Sequence, residues 1–420
     1  MNPHPITGDR RAVDDCPLAR HRGARVACVI FSYYSNDPRP RRAAEALVRQ
    51  GLQVDVICLR EDGNDTARHS LNGVHLLRLS IRHRRGGKLA YFWQYASFMI
   101  TAFLLLSWRS LYTRYRLVHA HNMPDLLVFC ALIPKLRGAR LILDLHDPMP
   151  ELLSTIFGKG PESRAGKLLR TFERWSTRFA DEVITVNEAC RELFGSRSCP
   201  AQKIHVVMNS PDPAIFRFRQ AESTAGSITG RTDRFVILYH GALVERNGLD
   251  LAIAALVAIK PHIPAAELRI IGRRTRFLTQ MLDSPEARSC STALQYLGEK
   301  TLEQVVEEIG RCCVGIIPNR RSPFTDINTP TRIFEFLSQG KPVIAPRTRG
   351  ILDYFGPDEL IFFEVGNVED LSRQIVMVWQ HPDLVQATVV RGQRVCQAHA
   401  WDQECAKLTN LVARLLDTGR

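Results

Sequence analysis

The sequence predicts an α/β protein of two doubly wound domains, each with a parallel sheet, that face each other across a cleft. Short apolar runs typical of buried parallel strands alternate with helix-compatible stretches along the chain. The alternation stops at residues 219–234, which are rich in Gly, Ser and Thr, and then begins again. With 420 residues, of which 45% are hydrophobic and 24% charged, the chain is long enough for two buried cores.

The first half of the chain contributes five predicted strands. Between the first two, Asp37 is a candidate N-cap, Pro38 fits the first helical position and Gly51 ends the helix. The strands are RVACVIFSYY (25–34), LQVDVICL (52–59), LVHAH (117–121), ARLILDLH (139–146) and DEVITVN (181–187).

The second half contributes six predicted strands, and residues 384–417 have a helical pattern. The strands are FVILYHG (235–241), ELRIIG (267–272), LQYLG (294–298), VGIIPN (314–319), PVIAP (342–346) and LIFFEV (360–365). The predicted units are therefore a disordered leader (1–24), a first Rossmann-like domain (25–218), a linker (219–234), a second Rossmann-like domain (235–383) and C-terminal helices (384–420).

Charge and cysteine usage restrict the class of protein. The net charge of +13 predicts anionic partners. The eleven cysteines include no CxxC pair, which favours reduced thiols in the cytoplasm over a disulfide framework or a zinc knuckle. The polar N-terminus lacks the apolar core of a signal peptide. Motifs of the GxGxxG, GxxxxGK[ST], GxSxG and HExxH types are absent, which argues against dehydrogenases, P-loop enzymes and the simplest hydrolases.

The segment NTPTRIFEFLSQGKPVIAP (328–346) predicts a helix followed by a strand. Asn328 or Thr329 is the candidate N-cap, and the free N–H groups at the helix start, with Arg332, form an anion site. Glu335 lies one turn further on, where a carboxylate can accept two ribose hydroxyl groups. An ordinary capped surface helix with a solvated glutamate is the alternative.

Five segments in order resemble the retaining GT-B glycosyltransferases of family 4, also called group 1. The resemblance spans about residues 25–400. The segments are SNDPRPRRAAEALVRQGLQVDVI, AHNMPDLLVFCALIPKLRGARLILDLHDPMPE, ADEVITVN, HGALVERNGLDLAIAAL and PTRIFEFLSQGKPVIA.

The resemblance implies roles for residues of the second domain. Glu335 matches the second glutamate of the family's paired motif, which holds the donor ribose, whereas Ile327 stands where the first glutamate is expected. The family's phosphate-binding arginine and lysine are replaced by Ala242 and Asn247, so we assign the leaving-group charge to Arg246 and Arg332. The other predicted donor-binding residues are Gly241, Asn247, Asp326, Asn328, Thr329 and Thr331.

In the first domain, the resemblance places His146 near the donor sugar, as a fourth catalytic residue. His119 and His121 form an HxH pair, but the sequence shows no third zinc ligand at a suitable spacing, so we predict no metal site. The predicted acceptor-side residues are His121, Asn122, Asp37, Arg39 and Arg41. For Asp37, Arg39 and Arg41 a solvated helix start is an equal alternative.

The implied function is transfer of a sugar from a nucleotide diphosphate sugar to a glycan or lipid-linked acceptor, with retention of configuration, in surface or exopolysaccharide synthesis. Arginines and a helix N-terminus can stabilise a diphosphate leaving group without a metal or another cofactor. One alternative is a nucleotide-sugar 2-epimerase of the same fold. Another is a basic nucleic-acid-binding protein, but the arginines are scattered and no nucleic-acid module is recognisable.

A basic stretch precedes a long uncharged segment in the first domain. Residues 78–88 hold five Lys or Arg, and residues 89–108 hold no charge. About 20 uncharged residues can span a bilayer, but this segment lies between strands of one sheet. An ordinary core helix is one alternative; the basic stretch favours a helix partly facing the interface, with peripheral attachment to the anionic inner face of the plasma membrane.

Overall fold

The computed structural model describes residues 17–61, 68–81, 88–158, 160, 162–221 and 234–418. The first sheet has eight strands in the order β3-β4-β2-β1-β5-β6-β7-β8, and all pairs except β3–β4 are parallel. They are β1 (Arg25–Val29), β2 (Gln53–Leu59), β3 (Arg68–Leu71), β4 (Val74–Leu79), β5 (Tyr115–His121), β6 (Arg140–Leu145), β7 (Glu182–Thr185) and β8 (Ile204–Val206).

Six α-helices connect these strands. The first begins at Pro38 after Asp37, as predicted, although the Asp37 side chain makes no capping bond. They are α1 (Pro38–Arg49), α2 (Lys88–Tyr112), α3 (Leu132–Leu136), α4 (Met149–Phe157), α5 (Arg164–Phe179) and α6 (Glu188–Arg197).

The second sheet has six parallel strands in the order β11-β10-β9-β12-β13-β14. The strands are β9 (Phe235–His240), β10 (Ala266–Ile271), β11 (Leu294–Tyr296), β12 (Val314–Ile316), β13 (Val343–Pro346) and β14 (Ile361–Phe363). The helices are α7 (Leu249–Ile259), α8 (Arg276–Leu282), α9 (Pro285–Ser289), α10 (Leu302–Arg311), α11 (Pro323–Ile327), α12 (Thr331–Ser338), α13 (Arg349–Leu352), α14 (Val368–Gln380), α15 (Pro382–Ala398) and α16 (Trp401–Thr418). The predicted fold class, two parallel-sheet α/β domains, is confirmed.

The sequence did not predict strands β3, β4 and β8. Asn72 and Gly73 both have positive φ, and they join β3 to β4 in an antiparallel hairpin. An Asn-Gly pair between apolar runs is the sequence signal for such a hairpin. Strand β8 is only three residues long, so it shows little periodicity.

Part of the predicted leader is ordered, which corrects that prediction. Leu18 is fully buried in the core, and His21 Nε2 lies 2.9 Å from Asp417 Oδ1 in the last helix. Residues 1–16 lie outside the described part of the chain, as does 222–233 of the predicted linker.

The last helix returns to the first domain. Leu408, Leu411 and Val412 of α16 share one hydrophobic core with Val26 and Cys28 of β1. The described cysteines, 28 to 405, are all free thiols and nearly all are buried. Packing of α16 therefore connects the end of the chain to the sheet where the chain begins.

Candidate functional site

The candidate site lies at the carboxyl ends of the central strands, where strand order reverses on either side of β1 and of β9. Crevices at such switch points are the usual ligand sites of open α/β sheets. His121 ends β5 and His146 follows β6 in the first domain, and His240 ends β9 in the second. The fold therefore brings the predicted His121 and His146, and also His240, which was not predicted, to the carboxyl edges of the two sheets.

Glu335 and His240 form the centre of the second-domain half of the site. The Oε2 atom of Glu335 lies 3.5 Å from Nε2 of His240, and the Glu335 side chain is 15% exposed. Burial raises the pKa of Glu335 to about 7, against the opposing effect of Arg332 and Arg42. Burial, assisted by Arg332, lowers the pKa of His240 to about 3. Near neutral pH the pair therefore holds a neutral histidine and a carboxyl group close to its titration point.

Contacts with one backbone carbonyl group and two side chains hold Arg332 in place next to this pair. Its Nη1 donates to the carbonyl oxygen of His240 at 2.7 Å, and its Nη2 donates to Oδ1 of Asn319 at 3.3 Å. The guanidinium also lies over the ring of Tyr239, 5.4 Å from the centroid. Gly241 has φ +125°, and a Cβ there would lie 3.3 Å from Arg332, so a glycine leaves room for the guanidinium.

The helix that carries Arg332 and Glu335 begins later than predicted. It starts at Thr331 with Pro330 as N-cap, and no side chain caps its first N–H groups. Thr329 instead donates to the carbonyl oxygen of Gly350 at 2.6 Å. Pro330 therefore takes the N-cap position that was predicted for Asn328 or Thr329. Its ring fixes an extended backbone at the helix entry but has no atom that can accept a hydrogen bond. The uncapped N-terminus remains suited to binding an anion.

The remaining predicted donor-side residues lie in the turn after β9 and in or next to α11. Arg246 lies over the ring of Phe324, 6.0 Å from the centroid, in the turn after β9. Asn247 donates to the carbonyl oxygen of Ala242 at 2.8 Å, so its side chain shapes the turn. Asp326 accepts from Arg321 at 2.9 Å, and Asn328 ends α11 half-buried.

On the first-domain side, Asn122 positions His146. The Oδ1 atom of Asn122 accepts from the backbone N–H of His146 at 3.2 Å, and its Nδ2 donates to the carbonyl oxygen of Asp147 at 2.7 Å. Asn122 itself is 4% exposed. The Asn122 side chain therefore holds the loop after β6 in place, and it is too buried to offer an acceptor much contact surface.

His121 is buried in a cluster with His119, Asp144 and Arg39. Arg39 donates to both carboxylate oxygens of Asp144 at 2.9–3.1 Å and to the carbonyl oxygen of Val207 at 3.0 Å. Burial alone would raise the pKa of Asp144, but Arg39 and the two histidines hold it well below its usual range. Burial, together with His119, lowers the pKa of His121 to about 3.

The cluster alters two expectations from the sequence. Potential ligand atoms of His119, His121 and Asp144 lie within 4.8 Å of one another, so the fold supplies the third ligand type that the sequence spacing lacked. In the structure, however, the positive partner of Asp144 is Arg39. That guanidinium binds Asp144 and Val207 inside the domain and not a group in the cleft.

Asp37 and Arg41, at the start of α1, also have partners within the domain. Asp37 accepts from the hydroxyl group of Ser32 at 2.8 Å, and Arg41 binds Glu45 at 2.9 Å. Arg42, which sequence reasoning missed, lies 5.1 Å from the ring centroid of Trp401 and contributes to the electrostatic environment of Glu335. The Arg42 guanidinium donates to the carbonyl oxygens of Pro38 and Ser210 and to Oδ1 of Asn209, so it is bound within the first domain while its charge acts on Glu335.

Among the hydrogen bonds that connect the two domains in the described part of the chain, those of Asn187 and Glu188 lie beside the site. Asn187 Nδ2 donates to the carbonyl oxygen of Ile327 at 2.8 Å and to Oγ1 of Thr329 at 3.0 Å. The backbone N–H of Glu188 donates to the hydroxyl oxygen of Tyr354 at 3.0 Å. These contacts position the start of α12 relative to the first domain. No sequence pattern indicates these contacts, because they depend on how two separately folded sheets meet.

Family comparisons match both halves of the chain. A model described as a glycosyl transferase 4-like domain matches residues 37–210, and one described as glycosyl transferases group 1 matches residues 234–381. Among curated proteins, glycogen synthase from Mycobacterium tuberculosis is 25% identical over 183 residues. That match spans 43% of this chain and 40% of the length of the relative.

Solved structures share the fold at low sequence identity. Sucrose-phosphate synthase from Thermosynechococcus elongatus has a TM-score of 0.75 at 17% identity, over 94% of this chain and 100% of that one. Anabaena HepE in complex with UDP has a TM-score of 0.65 at 14% identity, with the same coverage. WaaG, a glycosyltransferase involved in lipopolysaccharide biosynthesis, has a TM-score of 0.67 at 14% identity, over 92% of this chain and 99% of that one. Two consecutive family matches on this shared fold show that the chain belongs to the group 1 glycosyltransferases of the GT-B fold.

Proposed function

We propose that the protein transfers a sugar from a nucleotide diphosphate sugar to a glycan or lipid-linked acceptor, with retention of configuration, in surface or exopolysaccharide synthesis. The observation that carries this proposal is the convergence of Glu335, His240 and Arg332 at the carboxyl end of β9. A carboxyl group, an immobilised guanidinium and an uncapped helix start suit the ribose and diphosphate of one nucleotide. The neighbours that support this choice include Anabaena HepE, solved with UDP and with UDP-glucose.

On this proposal, Glu335 accepts hydrogen bonds from the ribose hydroxyl groups. Arg332 and Arg246 bind the diphosphate, beside the free N–H groups that begin α12. On the first-domain side of the cleft, His146 lies beside the transferred sugar, and Asn122 holds its backbone in place. Arg42 adds positive charge from the first domain. The donor is therefore contacted by both domains.

The chemistry that these groups support is departure of a diphosphate. Negative charge that develops on the leaving phosphate is stabilised most by donors that are already oriented, and Arg332 is oriented by His240 and Asn319. We propose that this positive charge comes from the protein, with no cofactor. Retention then follows if the acceptor attacks from the face that the phosphate leaves, with that phosphate receiving the acceptor proton.

We place the protein in the cytoplasm, at the anionic inner face of the plasma membrane. The support is the charge of +13 and the basic stretch before α2. Of that stretch, residues 82–87 lie outside the described part of the chain. Within the described residues, no helix is long and apolar enough to cross a membrane.

Calorimetry with nucleotide diphosphates and nucleotide sugars tests the donor assignment. We expect Glu335→Ala to weaken binding of UDP and of the intact donor alike by at least about tenfold, because a charge-assisted hydrogen bond contributes about 1.5–3 kcal/mol. Glu307→Ala, which removes an exposed carboxylate on α10, is the matched control. Unchanged affinity in Glu335→Ala, or no binding of any nucleotide by the wild type, would refute the proposal. Anomeric NMR of the first product tests retention.

A further inference from the structure

Helix α2 presents two chemically similar faces, of which one is buried and one is exposed. Phe98, Ala102 and Leu106 pack into the core beneath the first sheet. The opposite face is a stripe of large side chains. Its first five members are three, four or seven residues apart and the last lies four residues after Trp108, which places them on one side of a helix. This apolar stripe consists of Trp93, Ile100, Leu104, Trp108, Leu111 and Tyr112, all of them more than half exposed.

An ordinary surface helix presents polar and charged side chains to solvent, whereas this stripe presents large apolar ones over most of the length of α2. From Trp93 to Tyr112 it extends about 28 Å at 1.5 Å per residue. Its polar interruptions are small: the Thr101 hydroxyl group donates to the carbonyl oxygen of Ser97 at 2.8 Å, so that donor is already satisfied. Helix α3 packs beside α2 and extends the apolar surface with Leu132 and Leu136, the latter 76% exposed.

Exposed basic residues lie next to this surface, and the sequence places others before it. Arg114 follows the end of α2, and Arg137 follows Leu136. In the sequence, residues 78–88 hold five Lys or Arg, and residues 89–108 contain neither an acidic nor a basic side chain. An apolar centre with indole and phenol rings and basic neighbours complements anionic headgroups above acyl chains.

We propose that the apolar stripe of α2, with Leu132 and Leu136 of α3, is a docking surface for a lipid bilayer, and that it inserts to the depth of the upper acyl chains. The helix then lies parallel to the membrane plane, with Trp93 and Trp108 at the interface. Apolar insertion provides part of the binding, so salt weakens membrane binding without abolishing it. The docking surface rests on the proposed function only in that it brings the cleft to a lipid-linked acceptor.

Vesicle flotation of the full chain tests this surface, with phosphatidylcholine vesicles and with phosphatidylcholine–phosphatidylglycerol vesicles. We expect the wild type to bind both, more strongly the anionic ones, and to retain measurable binding at about 0.5 M salt. The triple variant Ile100→Ser, Leu104→Ser, Leu111→Ser should lose at least about tenfold in partition coefficient, because it removes three exposed apolar side chains. The control Trp379→Ser, Leu384→Ser removes comparable exposed side chains from the second domain and should change it less than about twofold.

Three results would overturn the docking surface. One is wild-type partition by the triple variant with an unchanged circular dichroism melting curve. Another is complete release of the wild type by salt. The third is a wild-type dimer in light scattering that becomes a monomer in the triple variant, since a second copy would then cover the stripe. Calorimetry with UDP keeps the proposals separable: absent nucleotide binding with intact flotation would refute the proposed function and support the docking surface.

Discussion

The imidazole Nε2 of His240 lies 3.5 Å from the carboxyl Oε2 of Glu335, and burial favours the uncharged form of both groups. One residue ends a strand and the other lies in the first turns of a helix, and Arg332 connects them through the carbonyl oxygen of His240. Such a site can change its charge by one proton near neutral pH. The pair therefore makes donor binding and stability depend on pH in a defined direction.

The first prediction concerns this dependence. The folded protein keeps the Glu335 proton up to a pKa of about 7, whereas the unfolded chain releases it near the usual glutamate pKa of 4.5. The free energy of unfolding contributed by this group therefore falls as pH rises from about 4.5 to 7. Glu335→Gln, which cannot ionise, should gain about 1–3 kcal/mol over the wild type between pH 5 and 8 in urea unfolding. A constant difference across that range would contradict the assignment.

The affinity for the donor should rise with pH, opposite to the free energy of unfolding that Glu335 contributes. A carboxylate accepts ribose hydroxyl hydrogen bonds better than the protonated acid does, so wild-type affinity for UDP should rise as pH increases through about 7. Calorimetry at pH 6 and pH 8 measures this change. Glu335→Gln is the control, and its affinity should stay flat over the same range.

The second prediction uses the space above Gly241. Gly241→Ala introduces a Cβ 3.3 Å from Arg332 at a positive φ, whereas Gly366→Ala has φ +81° and no atom within 4 Å of the new Cβ. Both variants should lose about 1–2 kcal/mol of stability from the backbone conformation. Only Gly241→Ala should displace Arg332 and lower kcat/KM by at least about tenfold. Equal kcat/KM values for the two variants would contradict the role of Arg332 in stabilising the leaving group.

The third prediction concerns the buried Arg39–Asp144 pair. Asp144→Asn should destabilise the protein by about 3–5 kcal/mol, because it leaves a buried guanidinium without its charge partner. The Arg39→Met, Asp144→Leu double variant should recover most of that loss in urea unfolding. Because the folded pKa of Asp144 is depressed, its stabilisation is fully present above the usual aspartate pKa of 3.8 and is lost as pH falls from there toward the lower pKa of the folded state. If Asp144→Asn changed the free energy of unfolding only slightly, Arg39 would again be a candidate for the acceptor-binding role that the sequence suggested.

The fourth prediction concerns the contact between the domains. Tyr354→Phe removes the acceptor of the Glu188 N–H group, and the lost hydrogen bond contributes about 1 kcal/mol. We expect a larger radius of gyration in solution scattering and a several-fold weaker donor affinity. Tyr296→Phe is matched, because its hydroxyl group donates to the carbonyl oxygen of Gly272 at the same 3.0 Å but within one domain. It should leave the radius of gyration unchanged.

Most of the fold was predictable because its signals are local. Parallel strands such as β9 are continuous apolar runs, and the switch from strand to helix is marked at Asp37 and Pro38. The helix that carries Arg332 and Glu335 was predictable in the same way, apart from its cap. The β3–β4 hairpin was not predicted although the Asn72-Gly73 pair is a hairpin signal, because β3, with the sequence RHSL, lacks the apolar run of a buried strand.

The candidate site was predictable only in part. Glu335 and Arg332 stand in one segment, so their nearness follows from helical spacing. His240 and Asn319 were missed although both stand at the ends of predicted strand runs, whereas His146 was selected by the family resemblance. The acceptor-side residues were assigned by position along the chain, and burial then gave Arg39, His121 and Asn122 partners inside the domain.

By itself, then, the sequence determined the two α/β units, the basic charge, the strand-end positions of most site residues and the uncharged segment that becomes α2. Each of these depends on residue type and short-range spacing, which the chain carries in its order. Only the tertiary structure decided that Arg39 binds Asp144, that His240 faces Glu335, that α16 returns to the first sheet and that one face of α2 is left exposed. These relationships join residues far apart in the chain. They depend on which surfaces the packing of two sheets buries, and short-range spacing does not encode that choice.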